Sequence, residues 1–176
     1  DEVVRAVYDT CVAAGIDYLE LGYKNSKEQF SKSDFGPWKH CDEEDLRRIV
    51  GDNDTDVKLS AIADAEKSDY EKDILPADQS VLDMIRVATY IHQIPVALEM
   101  IHDAHEKGYE TTVNVMAVST VQDAEVTQAL EVLVETPAST IVVVDSFGSL
   151  YAEQIEMLVK KYHKALEGTD KEVGIH

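Results

Sequence analysis

The sequence has few cysteines, few basic residues and no long apolar run, and each shortage excludes a class of protein. The two cysteines, Cys11 on an apolar helix face and Cys41 in a polar loop, form neither a disulfide framework nor a repeated metal-ligand spacing, so a reducing cytoplasm is the simplest location. Only 16 basic residues oppose 35 acidic ones, and the net charge of -19 argues against nucleic acid or an anionic membrane surface as a partner. No stretch approaches the roughly 20 apolar residues of a membrane span, and the first residues show no signal-peptide pattern.

The length predicts one domain. A chain of 176 residues can bury one ordinary core, and nothing in it resembles a linker or a low-complexity segment, so we treat residues 1–176 as a single unit. Asp1 already lies inside a helical pattern, which leads us to expect an excerpt of a longer chain.

A helix that is closed by glycine and followed by a strand recurs along the chain. Gly15, Gly108 and Gly168 each end an amphipathic helical pattern, at the position where a left-handed C-cap belongs. A further helix is predicted over about Val121 to Glu135, with Ser119 and Gln122 as its capping box. The six predicted strands are Ile16 to Gly22, Val57 to Ala63, Leu82 to Thr89, Thr111 to Val118, Ile141 to Val144 and Val173 to His176.

Alternating helices and strands predict an α/β fold with a parallel sheet and right-handed crossovers. A complete (β/α)8 barrel needs eight strands, usually in about 250 residues, whereas only six are predicted here. Two architectures therefore remain open: a doubly wound open sheet, or a barrel without its first and last strands.

Polar residues follow the most apolar strand. Ile141 to Val144 is an unbroken β-branched run, typical of a parallel strand buried on both faces, and Asp145 and Ser146 come directly after it. His176 follows the next strand. Because loops at the carboxyl ends of parallel strands gather around one crevice, these three residues predict a ligand site at that edge.

One connection is unusually long for a strand-to-helix loop. The segment from Lys24 to Cys41 is polar and holds the only tryptophan, Trp38. Loops of this length are uncommon unless they are functional. A substrate-side loop, a contact in a homo-oligomer and a solvated surface excursion all remain open.

Four segments, in this order and with these intervals, resemble a known family. They are Asp17-Tyr-Leu-Glu20-Leu-Gly22, Ile85-Arg86-Val-Ala88, Val143-Val-Asp145-Ser146-Phe-Gly148 and Val173-Gly-Ile-His176. Together they resemble the metal-dependent aldolase and acyl-transferase superfamily of TIM barrels, which includes 4-hydroxy-2-oxovalerate aldolase, hydroxymethylglutaryl-CoA lyase, isopropylmalate synthase and homocitrate synthase. The resemblance covers essentially the whole chain and is closest to the aldolase branch.

The resemblance implies a fold and a set of roles. The chain would run from the first barrel helix to the start of the seventh strand, without strands one and eight. His176 resembles the first metal-ligating histidine on strand seven, whose partner would lie two residues further on. Ser146 matches a position that helps to hold the substrate carboxylate, and Glu20 and Arg86 fall where relatives place polar active-site groups at strand ends.

The implied activity is a carbon-carbon lyase acting on a 4-hydroxy-2-oxo acid through a pyruvate-type enolate. The implied cofactor is a divalent metal, Mg²⁺ or Mn²⁺ first, with Co²⁺ or Zn²⁺ as further occupants. We assign catalytic roles to Glu20, Arg86 and Asp145, substrate binding to Ser146 and Asn114, and metal binding to His176. A small 2-oxo acid would be the partner.

Alternatives stay open for these residues. Asp145 is also a good helix cap, and Arg86 could be the structural partner of Glu20 across the strands. The general base is unassigned, because the segment from Tyr90 to His92 departs from the aldolase pattern. The rival activities are an acyl-CoA-dependent condensing enzyme and a non-catalytic module derived from a barrel. For the 176-residue chain by itself, we expect little activity.

Overall fold

The computed structural model describes residues 1–176 and contains one six-stranded parallel sheet. The strands are β1 (Tyr18–Tyr23), β2 (Lys58–Asp64), β3 (Met84–Thr89), β4 (Glu110–Val115), β5 (Thr140–Val143) and β6 (Glu172–Ile175). The helices are α1 (Glu2–Ala14), α2 (Lys32–Phe35), α3 (Glu43–Val50), α4 (Tyr70–Asp73), α5 (Ile94–Glu106), α6 (Asp123–Leu133) and α7 (Ala152–Ala165). None of these helices combines the length and the apolar character needed to cross a bilayer.

The strand order decides between the two predicted architectures. Each strand pairs in parallel with the next one in sequence, from β1 to β6, so the order never reverses. A doubly wound sheet requires such a reversal. Right-handed crossovers in one direction place the connecting helices on the same face of the sheet. The arrangement is therefore consistent with part of a TIM barrel, and the doubly wound alternative is wrong.

The main core lies between the sheet and its helices. Alternate strand residues supply one side of this core, and helix residues such as Leu46, Ile101 and Leu130 supply the other. Leu59, Ile85, Val113 and Ile141 are fully buried there. Burying each such side chain contributes about 1.5–3 kcal/mol relative to leaving it exposed. We call this side of the sheet the helix-covered face.

The predicted elements agree with this structure. All six strands are present within three residues of their predicted bounds, and Gly15 ends α1 with a left-handed φ of 65°. The helix predicted from Val121 begins two residues later, after a 3-10 turn over Val118–Thr120. Its capping box is displaced as well, because Glu125 accepts a hydrogen bond from the backbone N–H of Gln122 at 2.9 Å. The predicted pair of Ser119 and Gln122 is therefore wrong.

The two ends of the long loop after β1 pack against the protein, whereas residues 27–29 and 31–35 in its middle are exposed. A Cβ atom on Gly22 would lie 2.2 Å from the carbonyl oxygen of Trp38, so only glycine permits this close approach. The buried ammonium of Lys24 donates to the carbonyl of Cys41 at 2.7 Å. The loop thus covers the carboxyl end of β1, which is where a substrate-side loop belongs.

Candidate functional site

The face of the sheet opposite the helices lines a cavity. Alternate residues of all six strands surround about 310 Å³ of space, and we call this side the cavity face. Its lining residues are Tyr18, Glu20, Ser60, Met84, Arg86, Glu110, Thr112, Thr140, Val142 and Glu172. Eight of these ten side chains carry a hydroxyl group or an ionisable group, and only Met84 and Val142 are apolar. The cavity face is therefore much more polar than the helix-covered face.

Glu20 and Arg86 form an ion pair across this face. Nη1 of Arg86 donates to Oε2 of Glu20, and the two side chains are 20% and 30% exposed, respectively. The pairing that the sequence left open is therefore confirmed. Their predicted position at strand ends is wrong, because each is the third residue of its strand. Alternation along a strand lets a mid-strand residue face the cavity as well as an end residue does.

This ion pair orients Arg86 without using all its donors. A partly exposed pair contributes only about 0–1 kcal/mol to stability. One N–H of the Arg86 guanidinium donates to Glu20, and no other protein group accepts a hydrogen bond from this guanidinium. The remaining N–H groups are available to a carboxylate, which arginine binds through two parallel hydrogen bonds.

Two buried polar side chains lie on the strand next to Arg86. Thr112 pairs with Arg86 in the sheet register, and Asn114 lies two residues further toward the carboxyl end of β4. The hydroxyl of Thr112 and the amide oxygen of Asn114 are buried and have no hydrogen-bond partner. An unsatisfied buried group costs about 1–3 kcal/mol, so both atoms are suited to receive a ligand. The predicted interior position of Asn114 is confirmed, and its contact with substrate stays a prediction.

Asp145 and Ser146 hold the loops together at the carboxyl edge of the sheet. Oδ2 of Asp145 accepts a hydrogen bond from the backbone N–H of Leu150 at 2.9 Å, and this bond lowers the pKa of the carboxyl group. Asp145 thus closes the turn that precedes α7 and does not cap the helix, whose N-cap is Tyr151. Oγ of Ser146 accepts from the backbone N–H of Ala117 at 2.9 Å. The catalytic role of Asp145 and the substrate contact of Ser146 stay predictions.

His176 lies at the same edge of the sheet. Its backbone N–H donates to Val143 at 2.8 Å, its carbonyl accepts from Asp145 at 3.0 Å, and its side chain is exposed. No group of three or more His, Cys, Asp or Glu side chains that could hold a metal ion is present. Metal sites of the implied kind need several oxygen or nitrogen ligands. The residues present therefore do not fit a complete metal site.

Sequence reasoning missed two polar residues, Tyr23 at the carboxyl end of β1 and Asp64 at the carboxyl end of β2. Asp64 is the last residue of β2, is 8% exposed, and accepts a hydrogen bond from Nδ2 of Asn25 at 3.1 Å. Burial raises the pKa of Tyr23, and the carboxylates of Asp64 and Glu20 raise it further, so the three groups lie near one another. The signal for Asp64 was an acid directly after the predicted end of a strand at Ala63.

A second cavity lies away from the strand ends. It has a volume of about 460 Å³. Its lining residues belong to α6, to α7 and to the position directly after α6, and they include Leu130, Glu131, Lys161 and Lys164. It contains none of the predicted site residues. The polar groups capable of chemistry are on the cavity face of the sheet.

Comparisons with known proteins agree with this assignment. No family model matches the chain. It is 24% identical over 181 aligned positions to 4-hydroxy-2-oxovalerate aldolase 1 of Rhodococcus erythropolis, covering 99% of this chain and 49% of the relative. It is 25% identical to 4-hydroxy-2-oxovalerate aldolase 2 of Mycolicibacterium smegmatis, with the same coverage. The chain therefore spans about half the length of the curated relatives it matches.

A solved structure shares the fold. The N-terminal domain of a proposed aldolase from Bacteroides vulgatus aligns with a TM-score of 0.72 and 25% identity, over 100% of this chain and 57% of that one. Fold and sequence together relate the chain to the hydroxymethylglutaryl-CoA lyase-like aldolases. Within that class, the curated relatives it resembles are named as 4-hydroxy-2-oxovalerate aldolases.

Proposed function

We propose that the protein is an aldolase-type lyase that cleaves a 4-hydroxy-2-oxo acid to an aldehyde and pyruvate or a near analogue. One observation carries this proposal. The cavity face presents the oriented guanidinium of Arg86 next to two buried polar atoms, on Thr112 and Asn114, that have no partner in the protein. The names of the relatives supply the substrate class.

Arg86 is the residue best placed to hold the acid. Its free N–H groups can bind the carboxylate of the substrate, while Glu20 keeps the guanidinium in position. Cleavage of the bond between C3 and C4 leaves negative charge on the 2-oxo acid as an enolate. A fixed cation such as the Arg86 guanidinium stabilises such charge without reorganising, which lowers the barrier.

The proposal includes a divalent metal, because the resemblance implies one with His176 as a ligand. A bound metal would act as a Lewis acid on the oxo acid. The residues gathered in this structure do not complete its ligand set, so the roles given to Arg86, Asn114 and Ser146 do not depend on it. The activity of the whole protein should depend fully on added Mg²⁺ or Mn²⁺, and it should be lost after chelation and in His176→Ala.

The activity is tested by coupling pyruvate release to NADH oxidation with lactate dehydrogenase. With added Mg²⁺, the whole wild-type protein should release pyruvate from 4-hydroxy-2-oxovalerate, and Arg86→Gln should lower kcat/KM about 100-fold, equivalent to about 2.7 kcal/mol of lost transition-state binding. Arg5→Gln is the matched control, because Arg5 is an exposed arginine on α1 whose side chain hydrogen-bonds only to the backbone carbonyl of Arg48.

Three results would contradict the proposal. One is the absence of pyruvate release from any 4-hydroxy-2-oxo acid, and another is full activity in Arg86→Gln. The third is release of free CoA from an acyl-CoA in the presence of a 2-oxo acid, which would identify a condensing enzyme instead. Binding of pyruvate without turnover would indicate a non-catalytic module.

A further inference from the structure

Asp64 and Asn114 lie on either side of Ala88 at the carboxyl edge of the cavity face. The sheet register pairs Asp64 with Ala88, and Ala88 with Asn114, so the three residues form one row across β2, β3 and β4. Adjacent strands lie about 4.8 Å apart, which puts the outer two strands about 10 Å apart. Only the methyl group of Ala88 lies between the two polar side chains. A single methyl group does not fill the distance between these two strands, so Ala88 keeps the two polar side chains apart without bridging them.

Both flanking side chains offer hydrogen-bond acceptors. Asp64 and Asn114 are only 8% and 3% exposed, and the amide oxygen of Asn114 has no partner in the protein. Oδ2 of Asp64 accepts from Asn25, and no protein group donates to Oδ1. A ligand that fits between two acceptors is a hydrogen-bond donor, such as a hydroxyl group.

Asn25 fixes the carboxylate of Asp64 from the loop that covers β1. The backbone N–H of Asn25 donates to the carbonyl of Lys39 at 3.1 Å, and its own carbonyl pairs with Nδ1 of His40 at 2.8 Å. Asn25 and His40 are almost fully buried. The acid is thus held by a packed network, as a residue that transfers protons must be.

We propose that Asp64 binds the 4-hydroxyl group of the substrate and removes its proton during cleavage, an inference that rests on the proposed function. The carboxylate takes the hydroxyl proton, and the O–H electron pair forms the carbonyl of the aldehyde. The bond between C3 and C4 breaks, and its electron pair becomes the enolate of the 2-oxo acid. Protonation of C3 then gives pyruvate, so atoms and electrons balance.

The test uses a reaction that makes the same enolate without a hydroxyl proton. Decarboxylation of oxaloacetate breaks a bond to CO₂, so it needs the carboxylate-binding groups but no base at the hydroxyl. Asp64→Asn should lower kcat for cleavage of 4-hydroxy-2-oxovalerate by about 10²–10³-fold, the usual contribution of a general base. Its rate of oxaloacetate decarboxylation should stay within about threefold of wild type.

Asn25→Ala gives a second test that leaves the carboxylate in place. It should lower cleavage by a smaller factor, about tenfold, and should spare decarboxylation, because Asp64 loses its orienting partner. Asp78→Asn, an exposed acid in the 3-10 turn Ala77–Gln79, is the control and should change neither reaction.

The outcomes separate this inference from the proposed function. If wild-type protein catalyses neither reaction, the proposed function fails and the inference fails with it. If wild type is active but both variants cleave as fast as wild type, or lose both reactions equally, Asp64 is not the base and the proposed function stands. Selective loss of cleavage in Asp64→Asn supports the inference, and full cleavage in that variant overturns it whatever the result for Asn25→Ala.

Discussion

The two faces of the sheet are built from alternate residues of the same strands, yet they differ in chemistry. On the helix-covered face, Leu59, Ile85 and Ile141 are apolar and fully buried. On the cavity face, Arg86 and Thr112 occupy the alternate positions of β3 and β4. Each face has a buried threonine hydroxyl without a partner, Thr111 on the first and Thr112 on the second, but only the cavity face adds the unpartnered amide oxygen of Asn114 and the ion pair of Glu20 and Arg86. Stability and ligand binding are therefore assigned to opposite sides of one sheet.

Truncating one residue on each face gives the largest expected contrast. Ile85→Ala should lower the free energy of unfolding by about 2–5 kcal/mol, because it removes a buried side chain and leaves a cavity. Thr112→Val should change it by less than about 1 kcal/mol, since the lost hydroxyl makes no hydrogen bond. Urea unfolding followed by circular dichroism measures both values.

Ile85→Ala and Thr112→Val together test whether the two faces differ in their contribution to stability. Equal destabilisation by the two variants would mean that the cavity face contributes to stability as much as the helix-covered face does. A large loss in Thr112→Val alone would mean that its hydroxyl has a partner in solution.

A smaller effect is expected from Cys41, which is fully buried in the main core. Burial raises the pKa of its thiol from 9.0 to about 12, although the Lys24 ammonium opposes this increase. The unfolded thiol ionises first as the pH rises, so this stabilisation is complete below pH 9 and is lost between about pH 9 and 12. The full loss is at most about 4 kcal/mol at about 1.4 kcal/mol for each pKa unit.

Comparing wild type with Cys41→Ala separates the effect of this thiol on stability from the effects of other groups that titrate at high pH. Burial lowers the pKa of Lys24, so that group changes stability in the opposite direction, increasing it as the pH rises toward 10.5. The stability difference between wild type and Cys41→Ala should therefore shrink from pH 8 to pH 11. A constant difference would show that Cys41 is not buried as described.

The sequence predicts the helix-covered face better than the cavity face, for a physical reason. Apolar runs such as Ile141 to Val144 and the glycine after α1 are local signals, and they placed all six strands. The contact between Glu20 and Arg86 spans 66 residues and depends on strand order and register. The sequence could only leave that pairing as one alternative.

Local reasoning could recover only part of the signal for Asp64. Its place directly after a predicted strand end is visible in the sequence, but nothing nearby marks its side chain as buried. Its burial depends on Asn25, which reaches it from the loop after β1, 39 residues away. The capping box of α6 was displaced for a related reason, because the left-handed Ala117 and the 3-10 turn after it delay the start of the helix.

The most direct test of the account maps where a 2-oxo acid binds. Pyruvate and Mg²⁺ are added to ¹⁵N-labelled protein, and the shifts of the backbone amides are followed by NMR. We predict the largest shifts on the cavity face near Arg86, Asn114 and Asp64 and in the turn at Ser146, with little change in α6 and α7. Shifts confined to the cavity between α6 and α7, or none at millimolar pyruvate, would contradict the assignment of ligand binding to the cavity face.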